Sequence, residues 1–198
     1  MLSVRYVAGI RSKVEEWENK LALVQNILDE WLDCQRQWIY LENIFTAEDI
    51  QKQLPSETAK FMGVDRSWKD TMSKAYKKPN VLENCNSIDV LRKFQENNKI
   101  LDGVQKLLED YLEKKRRAFP RFYFLSNDEL IEILSQTRNV NAVQPYIRTC
   151  FDGMNRIKFG DAHDSKEILA MISADPEVEP ELVIFSEKVM AVGVVEKW

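Results

Sequence analysis

The sequence predicts a mainly α-helical protein, an elongated helical-bundle rod with a small β-hairpin near its C-terminus. Three observations carry that reading. A seam recurs at alternating spacings of three and four from Val14 to Trp38, and a second apolar stripe at helical spacing spans residues 88–112. Glycine is scarce, at six in 198 residues, and interrupts the first of these stretches nowhere between Ile10 and Leu41. Two β-prone runs, Ile168 to Ser173 and Leu182 to Phe185, flank the acidic, proline-rich Asp175-Pro176-Glu177-Val178-Glu179-Pro180.

The first helix is predicted from about Val4 to Phe45. Val14, Trp17, Leu21, Val24, Leu28, Trp31, Gln35 and Trp38 form a heptad seam, extended backwards by Ile10. Such a seam suits a coiled-coil dimer. Trp17, Trp31 and Trp38 are too large for ordinary knob positions, so packing against other helices of the same chain is the preferred reading. Thr46 is read as the cap of a short helix over Ala47 to Leu54, with Glu48 and Asp49 in its first turn and Pro55 as its stop. Ser56 is read as the cap of a third helix, Glu57 to about Lys77, which Gly63 weakens. Lys77-Lys78-Pro79-Asn80 reads as a loop.

A second long helix is expected from about Ser87 to Arg116, with the stripe Ile88, Leu91, Phe94, Leu101, Val104, Leu108, Tyr111 and Leu112 interrupted by Asn97-Asn98 and Gly103. It ends in Lys114-Lys115-Arg116-Arg117. These cations suit either a phosphate-bearing partner or the negative end of the helix dipole, and the second reading is preferred. Phe119-Pro120-Arg121-Phe122-Tyr123-Phe124 follows, as a buried strand or as a loop wedged between helices. Burial is preferred over a partner-binding surface. Ser126-Asn127-Asp128-Glu129 is a capping box that opens a helix carrying Leu130, Ile131, Ile133 and Leu134. A further helix begins near Asn141, takes Pro145 in its first turn, buries Val143, Ile147, Cys150 and Phe151, and ends at Gly153. Ile157 and Phe159 then alternate with charge, and Val189 to Val194 suits a further short strand. Helical subdomains thus occupy residues 1–156, and the hairpin with the start of another helix occupies 157–198. Neither end carries the polar, Gly- or Pro-rich composition of a domain boundary, so the sequence reads as a piece of a longer chain.

Composition excludes several functions. Hydrophobic residues at 44% and charged residues at 30% suit a folded core. Lys plus Arg, at 28, against Asp plus Glu, at 32, leaves a net charge of −4, a poor match for nucleic acid. No apolar run approaches the roughly 20 residues of a membrane span, and no signal peptide opens the chain, so a soluble intracellular protein is expected. Cys34, Cys85 and Cys150 are scattered and unpaired, as reduced thiols are. No glycine begins a phosphate loop and no GxGxxG is present. His163 is the single histidine. With Asp161 and Asp164 beside it, a solvated turn is a better reading than a metal site. No catalytic, cofactor-binding or metal-ligating residue is expected.

Several stretches resemble the dynein heavy chain family, in its linker region. They are Glu30 to Phe45, Asp49-Ile50-Gln51-Lys52-Gln53-Leu54-Pro55, the long run from Leu107 to Thr137, Ala142-Val143-Gln144-Pro145 and the closing Gly193-Val194-Val195-Glu196-Lys197-Trp198. The wording Leu125-Ser126-Asn127-Asp128-Glu129-Leu130 resembles the axonemal branch. The resemblance implies a middle portion of the linker, a bent helical lever lying across the AAA+ ring of the same heavy chain. Its swing would couple ATP turnover at the ring to microtubule-based movement in the axoneme of a cilium or flagellum, within the cytoplasm and cytoskeleton. It implies no cofactor in this chain, with ATP and Mg belonging to the full-length motor, and no enzyme activity of this chain alone. The implied partners are the ring, the dynein intermediate and light chains, and microtubules indirectly, with no nucleic acid and no membrane. The family's linker hinge is expected near Lys78-Pro79-Asn80 or Phe119-Pro120-Arg121, unless the aromatic run merely locks two helical subdomains together. A stand-alone helical adaptor that dimerises through the first helix is the competing reading.

Overall fold

The computed structural model describes residues 9–135, 139–160, 165–173 and 180–198. The expected helix start near Val4, Thr137, the His163 loop with Asp161 and Asp164, and the turn Asp175 to Glu179 lie outside them. The fold is mainly α with a small antiparallel sheet. Two compact units divide the chain: residues 1–45 with 55–106, and residues 46–54 with 107–198.

The first unit is helical. Helix α1 runs Arg11–Phe45, α3 runs Pro55–Lys77, α4 runs Val81–Asn84, and α5 runs Ile88–Ala118, its first part belonging here. The seam of α1 is shifted from the expected one. The column turned inward is Ile27, Trp31, Cys34, Trp38, Leu41 and Phe45, of which Ile27, Cys34, Leu41 and Phe45 are fully buried. Gln35 is exposed, as are Trp17 and Leu21. Cys34 is therefore the small apolar member of the seam, and the N-terminal half of α1 shows its stripe to solvent.

Trp31 and Trp38 pack against neighbouring helices of the same chain, as their bulk predicts. Trp31 stacks on Phe94 with centroids 4.9 Å apart, Trp38 stacks on Trp68 at 5.5 Å, and Phe45 stacks on Phe61 at 5.3 Å. Asn97 and Asn98, which break the apolar stripe of α5, sit on its buried face. Asn97 donates to Ser67 Oγ at 3.2 Å, and Asn98 donates to the Glu30 carbonyl at 3.0 Å and its carboxylate at 2.6 Å. Both amide nitrogens thus find acceptors, while Asn98 Oδ1 is buried without a donor.

Several boundaries differ from expectation. Pro55 opens α3 rather than only closing the helix before it, since a missing N–H costs nothing in a first turn. Ala47, not Thr46, is the residue that directly precedes α2, Glu48–Gln53. Gly63 and Gly103 lie inside continuous helices. The unforeseen α4 is held by Asn80, whose side chain accepts from the Leu82 and Glu83 amides.

The second unit joins α2, the last turns of α5, and α6, Asn127–Ser135, to a three-stranded sheet. The capping box of α6 forms as expected: Ser126 Oγ accepts from the Glu129 amide at 3.3 Å, and the Ser126 amide donates back to Glu129 at 2.8 Å. The aromatic run is neither strand nor loop but a 3-10 turn, Pro120–Phe124, with Pro120 at its first position. The helix expected from Asn141 is a 3-10 segment, Val140–Tyr146, followed by one α turn, α7, Ile147–Cys150.

The hairpin is part of a larger sheet in the order β1 (Met154–Phe159), β2 (Glu167–Ser173), β3 (Leu182–Met190), antiparallel throughout. Ile157 pairs with Met171, and Ile168 with Val189. The expected separate strand from Val189 does not exist, because Val189 and Met190 complete β3. Ile168 and Ala170 of the central strand face inward and, with Val140 and Ala191, are buried. Gly193, at φ +92°, turns the chain into a final 3-10 turn, Val195–Lys197.

Candidate functional site

The C-terminal end of α5 is where the second unit concentrates its polar ties. Lys115 Nζ lies 2.6 Å from Glu196 Oε1, with the two side chains only 14% and 9% exposed. Arg116 crosses the break at Pro120, donating through Nη2 to the Leu125 carbonyl at 3.0 Å and through Nε to the Phe122 carbonyl at 3.4 Å. Arg121 reaches onward to the Cys150 carbonyl at 2.9 Å and lies 4.5 Å from the centre of the Phe151 ring. Phe119 packs edge-on against Phe122 at 4.8 Å. Tyr111 donates to Gln53 of α2. Burial and the nearby Glu196 carboxylate push the Tyr111 phenol well above its usual range.

Gln144 performs the same service for the sheet. Its amide donates to the Ile157 carbonyl at 2.6 Å and its carbonyl accepts from the Ile157 amide at 3.0 Å, so one side chain substitutes for a neighbouring strand. Between α6, the Val140–Tyr146 segment and the sheet lies an apolar cavity of about 390 Å³, lined by Phe122, Ile133, Val143, Ile168, Val189 and Trp198, with Glu196 in its wall.

The basic cluster is thus consumed largely within the chain. Lys115 and Arg116 bind Glu196 and backbone carbonyls, and Arg117 pairs with Glu113 at 3.2 Å, which leaves Lys114 and Arg117 exposed. The aromatic run divides. Phe122 is buried and Phe119 half-buried, while Tyr123 and Phe124 face solvent. Tyr123 donates to Glu113 at 2.8 Å, and this bond with the Arg117 pairing holds the Glu113 carboxyl below its usual range. Cys34, Cys85 and Cys150 are all buried, and burial raises each thiol, that of Cys34 to about 11. A buried, protonated thiol is a poor nucleophile. Among the described residues no group of three or more His, Cys, Asp or Glu side chains is placed to hold a metal ion, and no helix is long and apolar enough to cross a membrane.

The whole chain, residues 1–198, matches the family described as dynein heavy chain, N-terminal region 2. The chain belongs to the dynein heavy chain family. It is 47% identical to dynein axonemal heavy chain 6 of Homo sapiens over 100% of this chain, and 49% identical to human dynein axonemal heavy chain 1 over 87% of it. Identity to human dynein axonemal heavy chain 3 is 45% over 98% of the chain. It covers 5%, 4% and 5% of those relatives' lengths, respectively, so it spans about a twentieth of a heavy chain.

In this dynein heavy chain segment, the ties that the sequence left unread are Lys115 to Glu196, Arg116 to Leu125, and Gln144 to Ile157. The first joins residues 81 apart, beyond any local pattern. The basic cluster was visible, but its carbonyl acceptors lie on an irregular turn. Gln144 lies in a stretch that resembles the family, but neither its type nor its spacing marks the tie to Ile157.

Proposed function

We propose that this chain is a segment of the dynein linker, the mechanical lever that couples ATP-driven changes in the AAA+ ring to microtubule-based movement in the axoneme. In this reading the segment holds no ATP, Mg or other cofactor and catalyses nothing itself. Its partners are the ring of the same heavy chain, intermediate and light chains in the assembled motor, and microtubules indirectly.

The observation that carries the reading is the match over residues 1–198 to the N-terminal region of dynein heavy chains. The ties at the end of α5 support it physically. A lever transmits force only if its corners resist bending, and Arg116, Arg121, Phe119 and Phe122 brace the corner at Pro120. That bracing favours Phe119-Pro120-Arg121 as a lock. The exposed break at Lys78-Pro79-Asn80 is tied only locally, by Asn84 donating to the Lys78 and Asn80 carbonyls, and is the better place for bending.

The test is Arg116→Ala in a heavy chain carrying this segment. Microtubule gliding should slow while ATP turnover persists, as in a motor with a slack lever. Gliding that falls only in step with ATP turnover would overturn the lever role, and ATP hydrolysis by the isolated 198-residue chain would overturn the non-catalytic one.

A dimerising helical adaptor is the second reading, favoured by the exposed Trp17 and Leu21 on α1. A stable dimer of the isolated chain in sedimentation, lost in Trp17→Glu with Leu21→Glu, would support it.

A further inference from the structure

We propose that the outer edge of β3, over residues 181–184, docks an extended peptide segment that is apolar at its centre and basic where it meets Glu181, adding to the sheet as a fourth strand. The sheet has two edges, β1 and β3. Gln144 meets both backbone groups of Ile157 on the β1 edge. The β3 edge has no such cover among the described residues. Beyond its ladder with β2, its further backbone bond among those residues is at its end, where the Met190 carbonyl accepts from the Val192 amide at 2.9 Å. Leu182, Val183 and Ile184 follow one another along this edge and are 45%, 43% and 72% exposed. Consecutive apolar side chains beside unpaired N–H and C=O groups form a template for strand addition.

Natural edges are guarded by charge, proline or a bulge. β3 has a bulge: Ile168 pairs with Val189 and Ala170 with Ile184, so residues 185–188 bow out opposite Leu169 alone. That guard begins past Ile184 and leaves 182–184 regular, paired with Ile172, Met171 and Ala170. Charge then selects the occupant. Glu181 and Glu187 are exposed, while Lys188 is paired with Glu167 at 3.3 Å. A second copy of this edge fits badly. In a two-fold antiparallel pair one residue faces its own copy. Centred on Leu182, such a pair sets Glu181 against Val183. Centred on Val183 it sets Glu181 against Phe185, and centred on Ile184, against Glu187. Each register places a carboxylate against an apolar side chain or another carboxylate, which cross-strand pairing disfavours. The matching partner is therefore a different sequence, with a lysine or arginine opposite Glu181 and apolar residues opposite 182–184. None of this depends on the lever role.

Short capped peptides are suitable probes, titrated into the 198-residue chain and followed by the amide resonances of β3. The first alternates valine and threonine between terminal lysines. The second has glutamates in place of the lysines, and the third is the first with its internal amides N-methylated. The lysine peptide should shift Leu182, Val183 and Ile184 and slow exchange of the outward-facing amides by about tenfold or more. It should bind about fivefold more tightly than the glutamate peptide at low salt, a gap that narrows as salt screens the Glu181 charge. The methylated peptide keeps the side chains and the charge but has no donors for a ladder, and should not bind. Glu181→Lys should reverse the order of the first two peptides. Ile184→Lys should weaken the lysine peptide about tenfold, while the methyl resonances of Ile168 and Val189 stay in place and show that the sheet persists. Equal binding of the methylated peptide, no reversal in Glu181→Lys, absence of binding by the lysine peptide at millimolar concentration, or shifts centred away from 182–184 would each overturn the assignment. So would a dimer of the chain alone that Ile184→Lys abolishes, since the occupant would then be a second copy.

Discussion

Trp38 of α1 donates its indole N–H to Asp65 of α3 at 3.1 Å, joining the two helices through a side chain that is 11% exposed. Asp65 also accepts from Lys69 at 2.9 Å, one turn along its own helix. A charge this deep is tolerated because both oxygens are met. Asp65→Ala removes the acceptor and strands the Trp38 N–H beside the Trp68 ring. It should destabilise the first unit by about 2–3 kcal/mol in urea denaturation. Trp38→Phe with Asp65→Ala should cost less than the sum of the two single changes, because the shared bond is counted twice in that sum.

Cys34 provides a signature in alkaline solution. Burial pushes its thiol to about 11, while a bond from Asn97 pulls the other way and the Glu30 charge adds to the rise. The unfolded chain releases that proton near the ordinary thiol value of about 8.5. Between there and about 11 the folded state holds the proton and the unfolded state does not, so stability falls as pH rises. The slope attributable to Cys34 is up to about 1.4 kcal/mol per pH unit. Below about 8.5 both states are protonated and the contribution is level. Denaturation midpoints of the chain and of Cys34→Ala should therefore converge as pH is raised from 8.5 to 11. Parallel curves over that range would rule the effect out.

The buried pair at the end of α5 makes a different prediction. Lys115→Ala leaves the Glu196 carboxylate enclosed without its cation, and should cost about 3–5 kcal/mol. Replacing both groups by apolar ones of similar volume, as in Lys115→Met with Glu196→Leu, should recover most of that loss. Thermal unfolding of the three proteins side by side decides it. A single variant no less stable than the double would show that the pair is not enclosed in solution.

How far the sequence could be read depends on how local each determinant is. The Ser126–Glu129 capping box is complete within four residues, and it forms as written. The helical periods of α1 and α5 are likewise local, and both helices are there. The face of α1 was misplaced because two adjacent columns are both apolar in part. Trp31 and Trp38 are common to both: Leu21 and Leu28 extend them into one seam, Ile27 and Cys34 into another, and only packing against Trp68 and Phe94 selects the second. The strand β1 was visible as alternation at Ile157 and Phe159, but its pairing with β2 and its tie to Gln144 are tertiary. Pro120 stops the helix without specifying the 3-10 turn that follows. The cavity and the Glu196 ion pair are assembled from segments far apart in the chain, so composition and spacing hold no trace of them.

Gln144 is the last case, and geometry makes it sharp. Its side-chain amide meets both backbone groups of Ile157, with a donor 2.6 Å from the carbonyl and an acceptor 3.0 Å from the amide. β1 is an edge strand of the sheet, so Gln144 satisfies groups that a further strand would otherwise pair. Gln144→Glu keeps the size and the acceptor for the Ile157 amide, but sets a carboxylate oxygen against the Ile157 carbonyl in place of a donor. Gln144→Ala removes both bonds and imposes no repulsion. The glutamate variant should therefore be the less stable at pH 7, by about 1 kcal/mol or more, and should regain stability as acid protonates the new carboxyl and restores a donor. The Ile157 amide reports the change directly. Its hydrogen exchange should quicken at least tenfold in Gln144→Ala, while amides of α6 keep their protection. Unchanged exchange at Ile157 would mean that the edge strand is held by its pairing with β2 alone.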